Sequence, residues 1–335
     1  MSTNDRRFLA PPPLFTLDTA PEVTFSVVIA AHDSAAVIAG AVESALAQTV
    51  RPTQVIVSDD GSTDDLDAAL EPFRSSVEIV RGPHAGAAAA RNRALELAAG
   101  DFVAILDADD AFLPERLAAL QALAGERPDL DILASDAMLE SDGRDIGRFS
   151  DSTPFPTHDQ RTAIFRACFV CAPAIRRSRL VALGGFDETL TTGEDWDLVL
   201  RLVLAGCPAG LVDEPLYRYR LRPGSLTARR LGSLRDRIQL FSKARERPGL
   251  APSEERAAEA ALTLNRRRLL RAAAEVAALR REPDARRRAL RLALASGSSV
   301  RERREAVLWS IDPRRVARSS SSSAESAAPW QRARR

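Results

Sequence analysis

Phe102-Val103-Ala104-Ile105-Leu106-Asp107-Ala108-Asp109-Asp110 sets five apolar residues directly before a cluster of three acids. An uninterrupted apolar run of this length reads as a strand buried on both faces. The acids then fall at its carboxyl end, which is where ligands collect in open α/β sheets. Carboxylates there are hard oxygen ligands, suited to a divalent cation and a phosphate-bearing ligand. Helix capping competes as an explanation for Asp109 or Asp110 taken singly, because Pro114 and Glu115 read as the first turn of a helix. Three acids held side by side without a counter-charge are costlier than a cap requires. A cation and phosphate site is the better account of the three acids taken together.

Outward from this stretch the pattern recurs. Apolar runs at Phe25–Ala31, Gln54–Val57 and Val77–Val80 alternate with helix-like stretches near 35–48, 64–74 and 86–99, and another near 115–124 follows the acids. That order predicts βα units and a parallel sheet covered on both faces. Ser34, Asp64 and Pro114 are expected helix starts and Gly100 a stop. The first, second and fourth strands end in His or Asp: His32 with Asp33, Asp59 with Asp60, Asp107 with Asp109. Their coincidence at one rim outweighs any single motif. Residues 130–227 read as mixed, with strands at Asp131–Ala134 and Phe169–Ile175 and with Pro154, Pro156 and Pro173 marking irregular backbone. Beyond Thr227, Ala, Leu and Arg recur at helical spacing over 230–246, 253–281, 284–296 and 300–309. The expected organisation is a flexible leader over 1–23, an α/β domain over 24–227, an Arg/Ala/Leu-rich helical region over 228–312 and a disordered Ser/Arg-rich tail over 313–335.

The chain has 335 residues, 45% of them hydrophobic, enough for a sizeable core. No run approaches the roughly 18–20 apolar residues of a membrane span, and Met1–Pro13 lacks the apolar centre of a signal peptide. A cytoplasmic protein is expected. Three cysteines, an odd number, argue against a disulfide framework, and the Cys168/Cys171 spacing in an apolar stretch reads as core rather than metal or redox chemistry. The net charge of +1 hides an asymmetry: residues 228–335 carry 26 Arg and one Lys against 12 acids, or +15, leaving −14 on the rest. The acidic part suits a metal-bearing site. The basic part would meet an anionic membrane surface, an acidic partner or the body itself, and a homodimer is one form such packing takes. Nucleic acid is not expected as a partner, because the basic segment lacks the interleaved aromatics and glycine-rich loops of common binding modules.

Three further segments carry chemistry. Val55–Asp64, VIVSDDGSTD, is a strand and turn whose acids accept hydrogen bonds from a base N–H or a ribose hydroxyl, with Gly61 allowing close backbone approach; an ordinary capped turn explains it about equally well. Gly86–Asn92, GAAAARN, places small residues before Arg91, which either faces a diphosphate or lies at the surface. Gly193–Leu198, GEDWDL, follows Gly184–Glu188, GGFDE, and puts Glu194 and Asp195 at a helix start. A poorly nucleophilic hydroxyl needs a base within hydrogen-bond reach, and one of these carboxylates would supply it. The competing reading is a capped amphipathic helix with Trp196 in the core.

Together SVVIAAHDSA, VIVSDDGSTDDL, GAAAARNRAL, LDADDAFLPERL, GGFDE and GEDWDLVLRL, in that order over about residues 24–225, resemble the family 2 glycosyltransferases of the GT-A fold. The resemblance implies an α/β fold with a Rossmann-like, mostly parallel central sheet flanked by helices, here with a C-terminal α-helical appendage. It implies an inverting, metal-dependent, hexosyltransferase-type enzyme. Such an enzyme moves one sugar from a nucleotide-sugar donor to a hydroxyl of a glycan, lipid-linked or small-molecule acceptor, as in cell-envelope polysaccharide biosynthesis. The implied donor-binding residues are Ala30, His32, Asp33, Asp59, Asp60, Arg91, Asp107, Ala108, Asp109 and Arg220. Among these, Asp60 with Asp59 is the nucleotide-base acid and His32 lies where an aromatic often meets the base. Asp107 and Asp109 form the DxD pair that binds Mn²⁺ or Mg²⁺, Asp195 is the catalytic base, and Glu194 supports it or contacts the acceptor. Arg220 or Arg222 reaches phosphate from the loop that follows Tyr217.

Ala30-Ala31-His32-Asp33 departs from the Pro-Ala-Tyr-Asn sequence of many relatives, which leaves the nucleotide open. Without a Gln-x-x-Arg-Trp motif or membrane spans, a processive synthase is not expected. The competing class is a non-catalytic nucleotide-sugar-binding or scaffold protein working through its basic helices, which would also serve for peripheral docking at the inner membrane surface. A nucleotidyltransferase lacks the Arg- and Lys-bearing glycine-rich loop after the first strand.

Overall fold

The strands are β1 (Phe25–Ala31), β2 (Gln54–Asp59), β3 (Glu78–Arg81), β4 (Phe102–Asp107), β5 (Ala111–Phe112), β6 (Ile132–Ser141), β7 (Arg144–Arg148), β8 (Ala174–Arg176) and β9 (Ala209–Leu221). The helices that alternate with these strands are α1 (Ile38–Leu46), α2 (Leu66–Leu70), α3 (Ala87–Leu95), α4 (Arg116–Glu126), α5 (Phe149–Ser152), α6 (Gln160–Ala163), α7 (Arg177–Ala182) and α8 (Glu194–Leu204). Four more follow: α9 (Arg230–Arg245), α10 (Pro252–Leu279), α11 (Ala285–Leu294) and α12 (Val300–Ile311). This computed structural model describes residues 22–221, 230–280, 282–295, 298–312 and 316. The leader up to residue 21, Arg222 and most of the expected tail lie outside the described residues.

The sheet runs β3-β2-β1-β4-β8-β6-β9-β5, with β7 added beside β6. Its first four strands are parallel. Beyond β4 it is mixed: β8 is antiparallel to both β4 and β6, β6 is parallel to β9, and β5 is antiparallel to β9. The continuous apolar runs have the cause expected for strands buried on both faces. Val28, Ile56, Val103 and Ile105 enter one core, whereas Val27, Ile29, Val55, Val57, Ala104 and Leu106 enter the other. Truncating one of these fully buried side chains, such as Ile56 to Ala, costs about 2–5 kcal/mol. Gly100 sits where a Cβ would come within 2.5 Å of the Ser26 amide, so it admits β4 against β1 and does more than stop a helix.

Several local expectations shift. Helix α1 begins at Ile38 with Val37 as cap, Asp65 rather than Asp64 caps α2, and α4 starts two residues after Pro114. The expected strand over 169–175 contracts to β8, because Phe169 and Val170 are spent filling the core from a loop. Helix α9 and the first half of α10 share the core of α3 and α8 through Leu240, Phe241, Ala258 and Leu262. A small separate core, built on Ala289, Leu292, Ala306 and Trp309, joins α11 and α12 to the end of α10. Among the described residues no helix is long and apolar enough to cross a membrane.

Candidate active site

The carboxyl ends of β1, β2 and β4 meet at one rim, where their loops are tied by side chains. Asp33, in the left-handed region at φ 46°, accepts from the Thr63 amide at 2.7 Å, and the Ala35 amide donates to Asp64. The Thr63 amide bond is the main reason the Asp33 carboxyl is held below its usual range. Asp59 is nearly buried and accepts from the Ser62 amide. Asp60 is more deeply buried: one oxygen accepts from the Ala85 amide, the other from the Gly86 amide and from His84 Nδ1 at 2.9 Å. Asp60 thus organises the loop between β3 and α3. Gly61 is required there, since its φ is +70° and a Cβ would stand 2.7 Å from the His84 amide.

His32 and His84 stack with ring centres 4.0 Å apart. Both Nδ1 atoms lie against the Asp60 carbonyl, at 3.0 and 3.2 Å. Donor atoms of His32, Asp60 and His84 lie within 4.8 Å of one another, close enough to hold a metal. Imidazole lone pairs lie in the ring plane, so a cation shared by two nearly parallel rings would require both to turn. The pair is better shaped as a flat wall beside a planar ligand. His84 was legible too: the strand-end rule applied to β3 leads through Arg81, Gly82 and Pro83 to it.

The DxD segment divides by depth. Asp107 and Asp109 are half-buried at the rim and Ala108 is buried behind them. Asp110 is 1% exposed and caps no helix; Tyr217 Oη donates to it at 2.7 Å and the Arg220 amide at 2.7 Å. Burial, reinforced by Asp107, pushes the Asp110 carboxyl well up, and burial with Asp110 pushes the Tyr217 phenol well up. Arg220 also donates to the Asp109 carbonyl at 3.2 Å, which places this guanidinium beside the DxD turn. The oxygen donors of Asp107 and Asp109 fit a hard divalent cation better than a soft one.

Arg91 lies beneath this rim, buried, donating to Asp107 at 2.6 Å and to Glu194 at 2.5 Å. Burial opposes its charge, but Asp107 and Glu194 outweigh burial and hold the guanidinium protonated. Asn92, next in the GAAAARN stretch, accepts from the Phe186 amide and donates to its carbonyl, fixing the GGFDE turn. Arg201 donates to the Leu183 and Gly185 carbonyls from the other side.

Gly193, at φ 78°, starts α8, and Glu194, Asp195 and Asp197 fill its first turn, where the helix dipole favours anions. Glu194 is turned inward to Arg91, whereas Asp195 is open to solvent. Crowding by protein, with Glu194 adding repulsion, raises the Asp195 carboxyl to about 6 despite the Arg91 charge. Trp196 donates to the Ile164 carbonyl and packs edge-on against Phe241 of α9, as the core reading of that residue expected. Cys168 and Cys171 are half-buried among apolar side chains, and burial raises both thiols, which suits packing and not reactivity.

Helix α9 holds the approach to this site. Asp236 accepts from Thr191 Oγ1 and from the amide and hydroxyl of Thr192, at 2.7–2.9 Å. Lys243 pairs with Asp187 and donates to Thr189, to which Gln239 also donates. The loop before Glu194 and Asp195 is thus clamped by residues some 45–55 positions away.

The model of glycosyl transferase family 2 matches residues 26–179. That stretch, just under half of the chain, is similar to this family. Among its relatives, the succinoglycan biosynthesis protein ExoO of Rhizobium meliloti is 32% identical over 228 residues, 63% of this chain and 64% of that one. The chain thus spans just under two thirds of this relative's length. The structure of S. aureus TarS 1-349 in complex with UDP-GlcNAc is similar with a TM-score of 0.63 at 20% identity, over 90% of this chain and 92% of that one. A mannosyltransferase from Pyrobaculum calidifontis, PcManGT, in complex with GDP-Man and Mn²⁺, is similar with a TM-score of 0.57 at 21% identity, over 93% and 91%. These structural likenesses establish the GT-A fold.

Proposed function

We propose that this protein is an inverting family 2 glycosyltransferase that moves a single sugar from a nucleotide-sugar donor to an acceptor hydroxyl. The observation that carries the reading is Asp195: an accessible carboxylate, raised to about 6, beside a buried Arg91 that pairs with Glu194 and with Asp107 of the DxD segment. A base of that affinity is ionised at neutral pH and still takes a proton readily. The acceptor O–H gives its proton to an Asp195 oxygen as the acceptor oxygen bonds to the anomeric carbon. The bond from that carbon to the diphosphate oxygen breaks on the opposite face, its electron pair leaving with the nucleoside diphosphate, so configuration inverts. Mn²⁺ or Mg²⁺ held by Asp107 and Asp109 would offset the charge left on the diphosphate.

The remaining residues orient the partners. Arg91 fixes Asp107 against Glu194, so the cation side and the base side share one charged brace. His32 and His84 wall the base end, with Asp33, Asp59, Asp60 and the backbone at Ala30 shaping the loops around it. Arg220 stands beside the DxD turn for the diphosphate. Acceptor classes that present a hydroxyl at this cleft are glycans, lipid-linked sugars and small molecules. The test is Mn²⁺-dependent hydrolysis of a panel of nucleotide sugars: Asp109→Ala and Asp195→Asn should both abolish it, and unchanged turnover in both would remove the assignment.

A further inference from the structure

Eight large apolar side chains stand exposed among the described residues, and six of them, Leu279, Leu290, Leu294, Val300, Val307 and Ile311, fall on the end of α10, on α11 and on α12. Leu294, Val300 and Ile311 are 75%, 86% and 66% exposed. The inward faces of the same helices are accounted for by the small core around Trp309, so this is a second apolar surface and not a failed first one. Leu290 and Leu294 are one turn apart, and Val300, Val307 and Ile311 recur at helical spacing, so each helix presents its set on one side. Arginines are interleaved with them: Arg286, Arg287, Arg291, Arg303 and Arg304 are exposed and form no ion pair with any described acid. Between Leu279 and Asp312 nine arginines stand against five acids.

We propose that the α11–α12 face lies on an anionic lipid surface. A bilayer interface supplies both partners this face asks for, headgroup phosphates for the guanidinium groups and acyl-chain boundary for Leu, Val and Ile. Residues 313–335 add six arginines against one acid, so that segment carries the same charge and does not complement the face. The same face on a second copy is repelled for the same reason. The placement has a consequence that rests on the transferase reading above. Helix α9 clamps the loop before Asp195, and α9 shares a core with α10, which continues to α11. Docking therefore fixes the base side of the cleft relative to the lipid, and the acceptor class is one carried at a membrane.

The experiment is vesicle co-sedimentation of the full chain. Phosphatidylcholine vesicles with about one third phosphatidylglycerol should retain it, pure phosphatidylcholine should not, and raising salt should release it. Leu294→Ser/Val300→Ser/Ile311→Ser, all at exposed positions, should weaken retention at least about tenfold, since acyl-boundary burial and charge act together. Arg287→Glu/Arg291→Glu/Arg304→Glu should abolish it, and the thermal unfolding of both variants should match the parent. Equal retention by neutral and anionic vesicles, or full retention of both variants, would overturn the proposal. So would a parent that ignores vesicles while light scattering shows a dimer that the serine variant dissolves. A parent that binds anionic vesicles but hydrolyses no nucleotide sugar would leave the docking in place and remove the transferase reading instead.

Discussion

Replacing Asp195 with Asn tests whether the acid that carries the proposed chemistry is held at a cost to stability. Its carboxyl is raised from 3.8 to about 6, chiefly by loss of hydration and then by Glu194, against the pull of Arg91. At about 1.4 kcal/mol per unit, an unscreened shift of this size corresponds to about 3 kcal/mol. Because the side chain is open to water, screening reduces this to about 1 kcal/mol. The sign follows from proton binding. The folded state holds this proton more tightly than the unfolded state, so the contribution is favourable below about pH 4 and is lost as pH rises through about 6. Asn is neutral throughout and carries no such loss. Asp195→Asn should therefore match the parent near pH 4, gain stability between about pH 4 and 6, and unfold about 2–4 °C higher at neutral pH. Donor turnover should fall by about 10²–10⁴ in the same variant. Parallel thermal melts from about pH 4 to 8 and a pH–rate profile of the parent, expected to lose about tenfold per unit below pH 6, read both effects. A melting gap independent of pH, or a less stable variant at neutral pH, would refute the placement of Asp195 in a crowded, partly hydrated anionic cluster.

Other perturbations separate the supporting parts. Arg91→Met strands the buried Glu194 carboxylate and should destabilise the fold by about 3–5 kcal/mol, seen as a fall in denaturant midpoint; a midpoint like the parent's would mean the bridge does not form. Asp110→Ala leaves the buried Tyr217 hydroxyl and the Arg220 amide unpaired, at about 1–3 kcal/mol each. The same variant should bind Mn²⁺ more weakly in donor-binding titrations, because the DxD turn loses its anchor, and unaltered Mn²⁺ dependence would count against that anchoring role. Asp236→Ala releases Thr191 and Thr192 and should lower kcat of donor turnover by about tenfold with KM little changed. Asp236→Asn, which keeps an accepting oxygen, should recover part of the loss. Equal kcat in parent and Asp236→Ala would show that the loop needs no clamp.

The parallel half of the sheet was legible because its signal is local. β1, β2 and β4 announce themselves as apolar runs, and each contributes alternate side chains to two cores, which is why apolar residues dominate them and the polar ones inside, Ser26 and Ser58, are buried as well. The acids after them were legible for the same reason. The mixed half was less so: β8 is three residues long and pairs on both edges, so it needs no distinctive pattern of its own. Asp110 shows the limit of reading one residue at a time. Next to Pro114 and Glu115 it looked like a cap, but its partners, Tyr217 and the Arg220 amide, stand more than 100 positions away.

That distance explains the role of α9, which periodicity alone presents as the first helix of an appendage. Its apolar side contains Leu240 and Phe241, which any packed helix would show, and nothing in them says that the partner is the core of α3 and α8. The decisive contacts are polar, from Asp236, Gln239 and Lys243 to Asp187, Thr189, Thr191 and Thr192. An exposed Asp on a basic helix is ordinarily a solvated side chain, and only the folded chain brings three donors to one of its oxygens. A carboxylate base must be held within hydrogen-bond reach of its proton donor, and Asp195 follows a loop containing Gly193 in the left-handed region, a segment with little order of its own. Supplying that order from α9 makes the activity depend on a helix outside the residues matched by the family model, so removal of residues 230–245 should abolish turnover even though every acid of the site remains.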